Sequence, residues 1–129
     1  MKKTKLLPPY ENGTRKTTFK QRNKAGVYLI WKNGLVRYVG MSQTDVYKSL
    51  YRHFQDWNDK TQERVVYKYL KDVKCRVIYC TASQAVRLEK ALIVRLKPTD
   101  NPSKFEQYTL DLKDKEIITQ VQQADEVPF

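Results

Sequence analysis

Histidine occurs once in this chain, at position 53, and cysteine twice, at 75 and 80. Three such ligands cannot build a Cys/His structural zinc centre, which takes four. Both cysteines fall in one apolar stretch, Cys75-Arg76-Val77-Ile78-Tyr79-Cys80, that reads as a strand. Five residues apart, they project from opposite faces and cannot bridge, so both are expected as reduced, buried thiols of a cytoplasmic protein. No apolar run approaches the ~20 residues that cross a bilayer. The opening Met1-Lys2-Lys3-Thr4-Lys5-Leu6-Leu7-Pro8-Pro9 breaks off before a signal-peptide core could form, so neither secretion nor a membrane partner is expected. Acids are the scarce charge: 14 Asp and Glu against 25 Lys and Arg leave a net +11. A positive potential of that size selects acidic partners, nucleic acid first. The length, 129 residues, suits one domain, and 40% hydrophobic with 30% charged residues describes a soluble one.

The charge is unevenly spread. Residues 1–24 carry eight basic residues and a single acid, Glu11, for +7; residues 25–104 carry fifteen and seven, for +8; residues 105–129 carry two and six, for −4. The first zone lacks sustained periodicity and reads as a flexible basic N-terminal arm, ordered at most near Thr17-Thr18-Phe19. Such an arm is either a solubilising extension or a grip on phosphates. The last zone, an acidic C-terminal extension, holds Leu110, Leu112, Ile117, Ile118 and Val121. These suffice to dock a short helix or strand, with disorder the alternative. No internal repeat or low-complexity tract is present.

The middle zone has the clearest pattern. Gly26-Val27-Tyr28-Leu29-Ile30-Trp31 and Leu35-Val36-Arg37-Tyr38-Val39-Gly40 are β-rich and joined by Lys32-Asn33-Gly34, a hairpin signal. Val46, Leu50, Phe54 and Trp57 form an apolar stripe that predicts a helix from Asp45 to about Trp57. A second helix is expected over 62–71, a strand from Val73 to Tyr79, and a third helix from the capping box Thr81-Ala82-Ser83-Gln84 to Leu96, stopped by Pro98. The order predicts an α+β fold, a small three-stranded antiparallel sheet flanked by helices.

Two residue patterns constrain the chemistry. With Glu89 at 0° on a wheel of ~100° per residue, Ala82, Ala85, Val86, Leu92, Ile93 and Leu96 fall within about 60° of it, which puts an acid in the middle of an apolar face. A carboxylate there needs a salt-bridge partner or a metal ion, and periodicity does not choose between them. In the hairpin, a two-residue Asn33-Gly34 loop sets Tyr28 opposite Val39 and sends Tyr28 and Tyr38 to opposite faces. A three-residue loop, with Gly34 left-handed in a bulge, sets Tyr28 opposite Tyr38 on one face, and this is the arrangement expected if the tyrosines act together.

Taken in order, Gly26-Val27-Tyr28, Tyr38-Val39-Gly40, a basic helix ending in His53-Phe54, Glu89 within Leu88-Glu89-Lys90-Ala91-Leu92-Ile93, and Asn101 after Pro98 resemble the GIY-YIG nuclease family over residues 25–104. The resemblance implies a GIY-YIG-like domain that hydrolyses DNA phosphodiesters with a divalent cation, Mg2+ or Mn2+, and without a small-molecule cofactor. It implies that Tyr28 and Tyr38 line the site and help to deprotonate the attacking water. By the same match Glu89 holds the metal, Asn101 shapes the site, and Gly40 allows a close approach of backbone to DNA. The metal would polarise the scissile phosphate and stabilise the leaving 3′-oxygen.

One position departs from the family pattern, which generally has an arginine on the first helix, often four residues before a histidine or tyrosine. Lys48 with Arg52, or Ser49 with His53, can occupy the two slots. Relative to the centre of the apolar stripe, Ser49 and His53 lie about 95° and 55° away, against about 165° and 155° for Lys48 and Arg52. Ser49 therefore takes the arginine slot. His53 becomes a general base or phosphate donor, and Lys48 and Arg52 are left to contact DNA phosphates from outside, unless a helix distortion brings Lys48 inward. Two functions compete: a metal-dependent endonuclease, and a nucleic-acid-binding module that keeps the fold without efficient cleavage.

Overall fold

A computed structural model describes residues 1–55, 66–68, 70–101 and 109–123. Its centre is an antiparallel sheet in the order β1-β4-β2-β3, with β1 Lys2–Lys3, β2 Gly26–Lys32, β3 Leu35–Ser42 and β4 Val73–Tyr79. The sheet thus has four strands where the sequence predicts three. The addition comes from the basic N-terminus: Lys2 and Lys3 pair with Tyr79 and Ile78, the Thr4 amide donates to Val77 O at 2.9 Å, and Leu7 and Cys75 exchange both backbone bonds. Without this segment β4 would be an edge strand exposing Cys75 and Val77, both buried here. Nor do residues 1–24 form a free arm. After Leu7 the chain crosses the sheet, where Tyr51 Oη donates to Pro9 O at 2.6 Å, the Phe19 amide donates to Tyr51 Oη at 3.1 Å, and Phe19 is buried.

The strand alternation of β2 divides the core into two layers. Val27 and Leu29, with Val39 and Ile78, face α2 (Ala82–Leu96) and α3 (Leu112–Gln123). Tyr28 and Ile30, with Cys75 and Val77, face α1 (Val46–Tyr51), the following 3-10 turn Arg52–Phe54, and Phe19. α1 is shorter than expected because the chain tightens into the 3-10 turn and then becomes extended at Gln55 (φ −115°, ψ 154°). Val46, Leu50 and Phe54 of the stripe are buried, and Trp57 lies outside the described residues. Half of the helix expected over 62–71 falls outside them too; the described half, 66–68, 70 and 71, is not helical.

α2 begins as the sequence predicts, with Thr81 and Gln84 bonded reciprocally as a capping box, and ends at Lys97 in the left-handed conformation (φ 49°) just before Pro98. The acidic C-terminal segment docks: Ile117, Ile118 and Val121 of α3 are buried against the α2 layer. Its first turn is closed by Asp111 and Asp114, each accepting the other's amide, and Asp114 also binds Arg87 at 2.9 Å and Lys90 at 3.1 Å from α2. Both cysteines are free, Cys75 buried and Cys80 half-buried; burial raises both thiols, Cys80 to about 11, so neither is a thiolate near neutrality. No helix among the described residues is long and apolar enough to cross a membrane.

Candidate active site on the tyrosine face of the sheet

The hairpin reaches the expected tyrosine arrangement by a different route. Its loop has two residues, Asn33 (φ 53°) and Gly34 (φ 75°), the paired left-handed residues of a type I′ turn. A bulge at Arg37 then shifts the register, so that Ile30 pairs with Tyr38 and Tyr28 with Gly40. The expectations of Tyr28 opposite Tyr38 and of a three-residue loop are both corrected. The extra residue sits within β3, yet the tyrosines still emerge on one face, their rings stacked with centroids 6.1 Å apart at 21°. Gly40 is where this arrangement depends on an absent side chain. Tyr28 lies flat across it, and a Cβ there would overlap the phenol ring.

α1 is fixed over this pair from its first turn. Asp45 caps it by accepting from the Tyr47 amide, Ser42 Oγ accepts from the Asp45 amide, and the Val46 amide donates to Lys24 O at 2.8 Å. Ser49 Oγ donates to Tyr28 Oη at 3.2 Å, and Tyr28 Oη lies 2.8 Å from His53 Nε2. Ser49 Oγ reaches both Tyr28 Oη and Met41 O, and the direction of the Tyr28–His53 bond follows the histidine tautomer: the phenol donates when His53 Nε2 is the unprotonated nitrogen. The His53 ring packs 4.6 Å from that of Tyr38 and 5.7 Å from that of Tyr67. Tyr28 and His53 are 2% and 1% exposed and Tyr38 is half-buried, so the phenol–imidazole pair lies at low dielectric with Tyr38 as its outer wall. Lys48 is exposed and Arg52 half-buried.

Asn101 reaches the same edge from the loop after α2. Its amide accepts from the Val39 amide and donates to Val39 O, both at 2.8 Å, closing the outer edge of β3 like a one-residue strand. Beside it, Asp100 takes its amide bond to Arg37 O, pairs with the Arg37 guanidinium at 3.1 Å, and accepts from Tyr67 Oη at 2.7 Å. Burial, reinforced by the Asp100 carboxylate, drives the Tyr67 phenol far above its ordinary pKa, so it remains a neutral donor. Neither periodicity nor motif order had pointed to Arg37, Asp100 or Tyr67. Their meeting depends on the bulge and on loop paths that carry no local signal.

Glu89 requires a correction. On α2 the buried residues are Ala85, Leu88, Ala91, Leu92 and Ile93, while Val86 is 45% exposed and Glu89 only half-buried. The acid therefore lies on the flank of the apolar face and not at its middle. The arc is turned because α3 covers part of α2, which a wheel drawn for one helix against one sheet leaves out. α2 packs across β2 and β3 on the face opposite Tyr28, Tyr38 and His53. Among the described residues no three His, Cys, Asp or Glu cluster together. A single carboxylate suits a hard cation that keeps waters and takes phosphate oxygens as its remaining ligands, the usual habit of magnesium. No protein-family model matches the chain, and no curated protein matches it significantly.

Proposed function

We propose that the protein is a divalent-metal-dependent DNA endonuclease of the GIY-YIG type, acting from the tyrosine face of the sheet. The observation that carries this reading is the 2.8 Å bond between Tyr28 Oη and His53 Nε2, beside stacked Tyr38 and with Ser49 on the same phenol oxygen. A water entering beside the phenol gives its proton to Tyr28 Oη as the phenol's proton passes to His53. The water oxygen bonds phosphorus, the P–O3′ bond breaks, and the product keeps a 5′-phosphate. His53 ends this step as imidazolium and returns its proton to solvent or to the leaving oxygen. Asn101 keeps the β3 edge that carries Tyr38 rigid, as a reacting site requires. Glu89 would hold Mg2+ or Mn2+, which supplies Lewis-acid polarisation of the scissile phosphate.

The second reading, a DNA-binding module without efficient cleavage, draws on two observations. Serine occupies position 49, and Glu89 belongs to a helix packed on the other face. Supercoiled plasmid and branched DNA incubated with Mg2+, Mn2+ or EDTA separate the two. The endonuclease reading expects nicking that needs the metal and disappears with Glu89→Ala. Binding without cleavage under either metal selects the second reading, and cleavage that survives Glu89→Ala overturns the role given to Glu89.

A further inference from the structure

Residues 1–55 contain twelve Lys and Arg against two acids, Glu11 and Asp45, so they carry +10 of the chain's +11. Of the two acids, Glu11 pairs with Lys20 at 2.8 Å and Asp45 is buried as the α1 cap, while Arg37 pairs with Asp100 from outside this stretch. In the opposite layer charges offset one another: Asp111, just before α3, binds Arg87, and Asp114 of α3 binds Arg87 and Lys90 of α2. Arg15, Lys16, Arg22, Lys24 and Lys48, all exposed, belong to the N-terminal segment and α1, and that segment folds onto the α1 side of the sheet. Tyr51 holds it by its bonds to Pro9 and Phe19, Tyr47 Oη donates to Thr17 Oγ1 at 3.4 Å, and the Arg22 guanidinium lies 4.1 Å over the Tyr47 ring. The Val46 amide bond to Lys24 O brings the exposed Lys24 beside the first turn of α1, the helix that carries the exposed Lys48. At the other end, Arg15 shares an open depression of about 490 Å³ with Phe54, Gln55 and Lys68, just beyond the 3-10 turn.

From these placements we infer that the docked N-terminal segment and the outer side of α1 form one pre-built ridge for a DNA backbone, running from Lys24 and Lys48 past Arg22 to Arg15 and Lys16. The ridge deepens the endonuclease reading and rests on it for the identity of the polyanion. Because the segment is already ordered, the cations meet phosphates without the entropy of folding a free arm. A membrane fits this surface poorly. None of the exposed large apolar side chains among the described residues lies in 8–24 or on α1, so charge would have to act without an inserted anchor.

Deleting residues 1–24 is the wrong test, since it removes β1 and the buried Phe19. The discriminating variant is the full chain with Arg15→Gln, Lys16→Gln, Lys24→Gln and Lys48→Gln, all exposed positions, compared with Lys113→Gln, Lys115→Gln on α3. Binding to a fluorescent 20-base-pair duplex is followed in EDTA across NaCl concentrations, with thermal melts to verify folding. At about 0.9 in the log–log salt slope per phosphate contact, the ridge variant, which lacks four cations, should lose about 3.6 from the slope while the α3 variant keeps it. An unchanged slope in the folded ridge variant, an equal loss in the α3 variant, or equally tight binding to phosphatidylserine vesicles overturns the ridge. Cleavage bears on the other reading separately: metal-dependent nicking with an unchanged ridge slope sinks the ridge alone, whereas a reduced slope without nicking under any metal keeps the ridge and sinks the nuclease.

Discussion

Tyr28 Oη and His53 Nε2, 25 residues apart in the chain, meet at 2.8 Å, and Ser49, one helical turn before His53, donates to the same phenol oxygen at 3.2 Å. One oxygen of the sheet is thus read by two residues spaced four apart on the α1 segment. Tyr28→Phe removes both bonds and keeps the ring that packs over Gly40. If the phenol relays the water's proton, metal-dependent cleavage should fall by about 10²- to 10⁴-fold, the usual range for a positioned acid–base group. DNA affinity should stay within twofold. Single-turnover cleavage and equilibrium binding on the same preparation measure both, and an unaltered cleavage rate removes Tyr28 from the chemistry.

Gly40→Ala tests the packing beneath that bond. The added methyl occupies the space of the Tyr28 ring, and such overpacking costs about 1–3 kcal/mol. The loss should appear as a lower denaturant midpoint at an unchanged m-value. In a Tyr28→Leu background the same substitution should cost much less, because the ring it strikes is gone. Equal costs in the two backgrounds would mean that Gly40 is needed for its backbone rather than for Tyr28.

Where local chemistry repeats, the sequence was legible. The β-rich segments 26–31 and 35–40 become β2 and β3 around the Asn33-Gly34 turn, and the reciprocal Thr81–Gln84 cap starts α2 where the motif predicts. The wheel argument for Ser49 and His53 over Lys48 and Arg52 agrees with the bonds to Tyr28, since four-residue spacing still holds roughly where the α-helix tightens to 3-10. What stayed hidden has non-local causes. The bulge at Arg37 follows from pairing across β2 and β3, the fourth strand from Lys2 and Lys3 meeting a strand more than seventy residues on, and the turned face of α2 from the docking of α3. None of these contacts leaves a periodic trace in either segment taken alone.

Asp114 gives a prediction that does not depend on any function. It is fully covered, and although burial alone would raise its pKa, the Asp111 amide together with Lys90 and Arg87 lowers it on balance. A depressed folded pKa stabilises the protein above the unfolded value of about 3.9, and the stabilisation is lost as pH falls below it through the folded one. Asp114→Asn should therefore reduce stability at pH 7 by about 1.5–3 kcal/mol, the range for hydrogen bonds to charged groups. It should also flatten the acid limb of the stability–pH curve. A variant that follows the parent's acid limb unchanged would show that α3 is not held by this carboxylate.

Ser49 offers the sharpest test of the active-site assignment. Its hydroxyl lies against Tyr28 Oη and brings no positive charge, where an arginine could place a guanidinium beside the same phenol. Charge-assisted bonds from a guanidinium strengthen as negative charge builds on a phosphate in the transition state. Ser49→Arg should then raise the cleavage rate about tenfold if only 1.4 kcal/mol of new transition-state stabilisation is realised. Lys48→Ala, at an exposed position one residue earlier, should weaken DNA binding more than turnover. Single-turnover rates and salt-dependent affinities for both variants separate the two effects. If Lys48→Ala eliminates turnover while Ser49→Arg changes nothing, the cation that serves the reaction is Lys48, and the Ser49–Tyr28 contact belongs to the packing of α1 on the sheet.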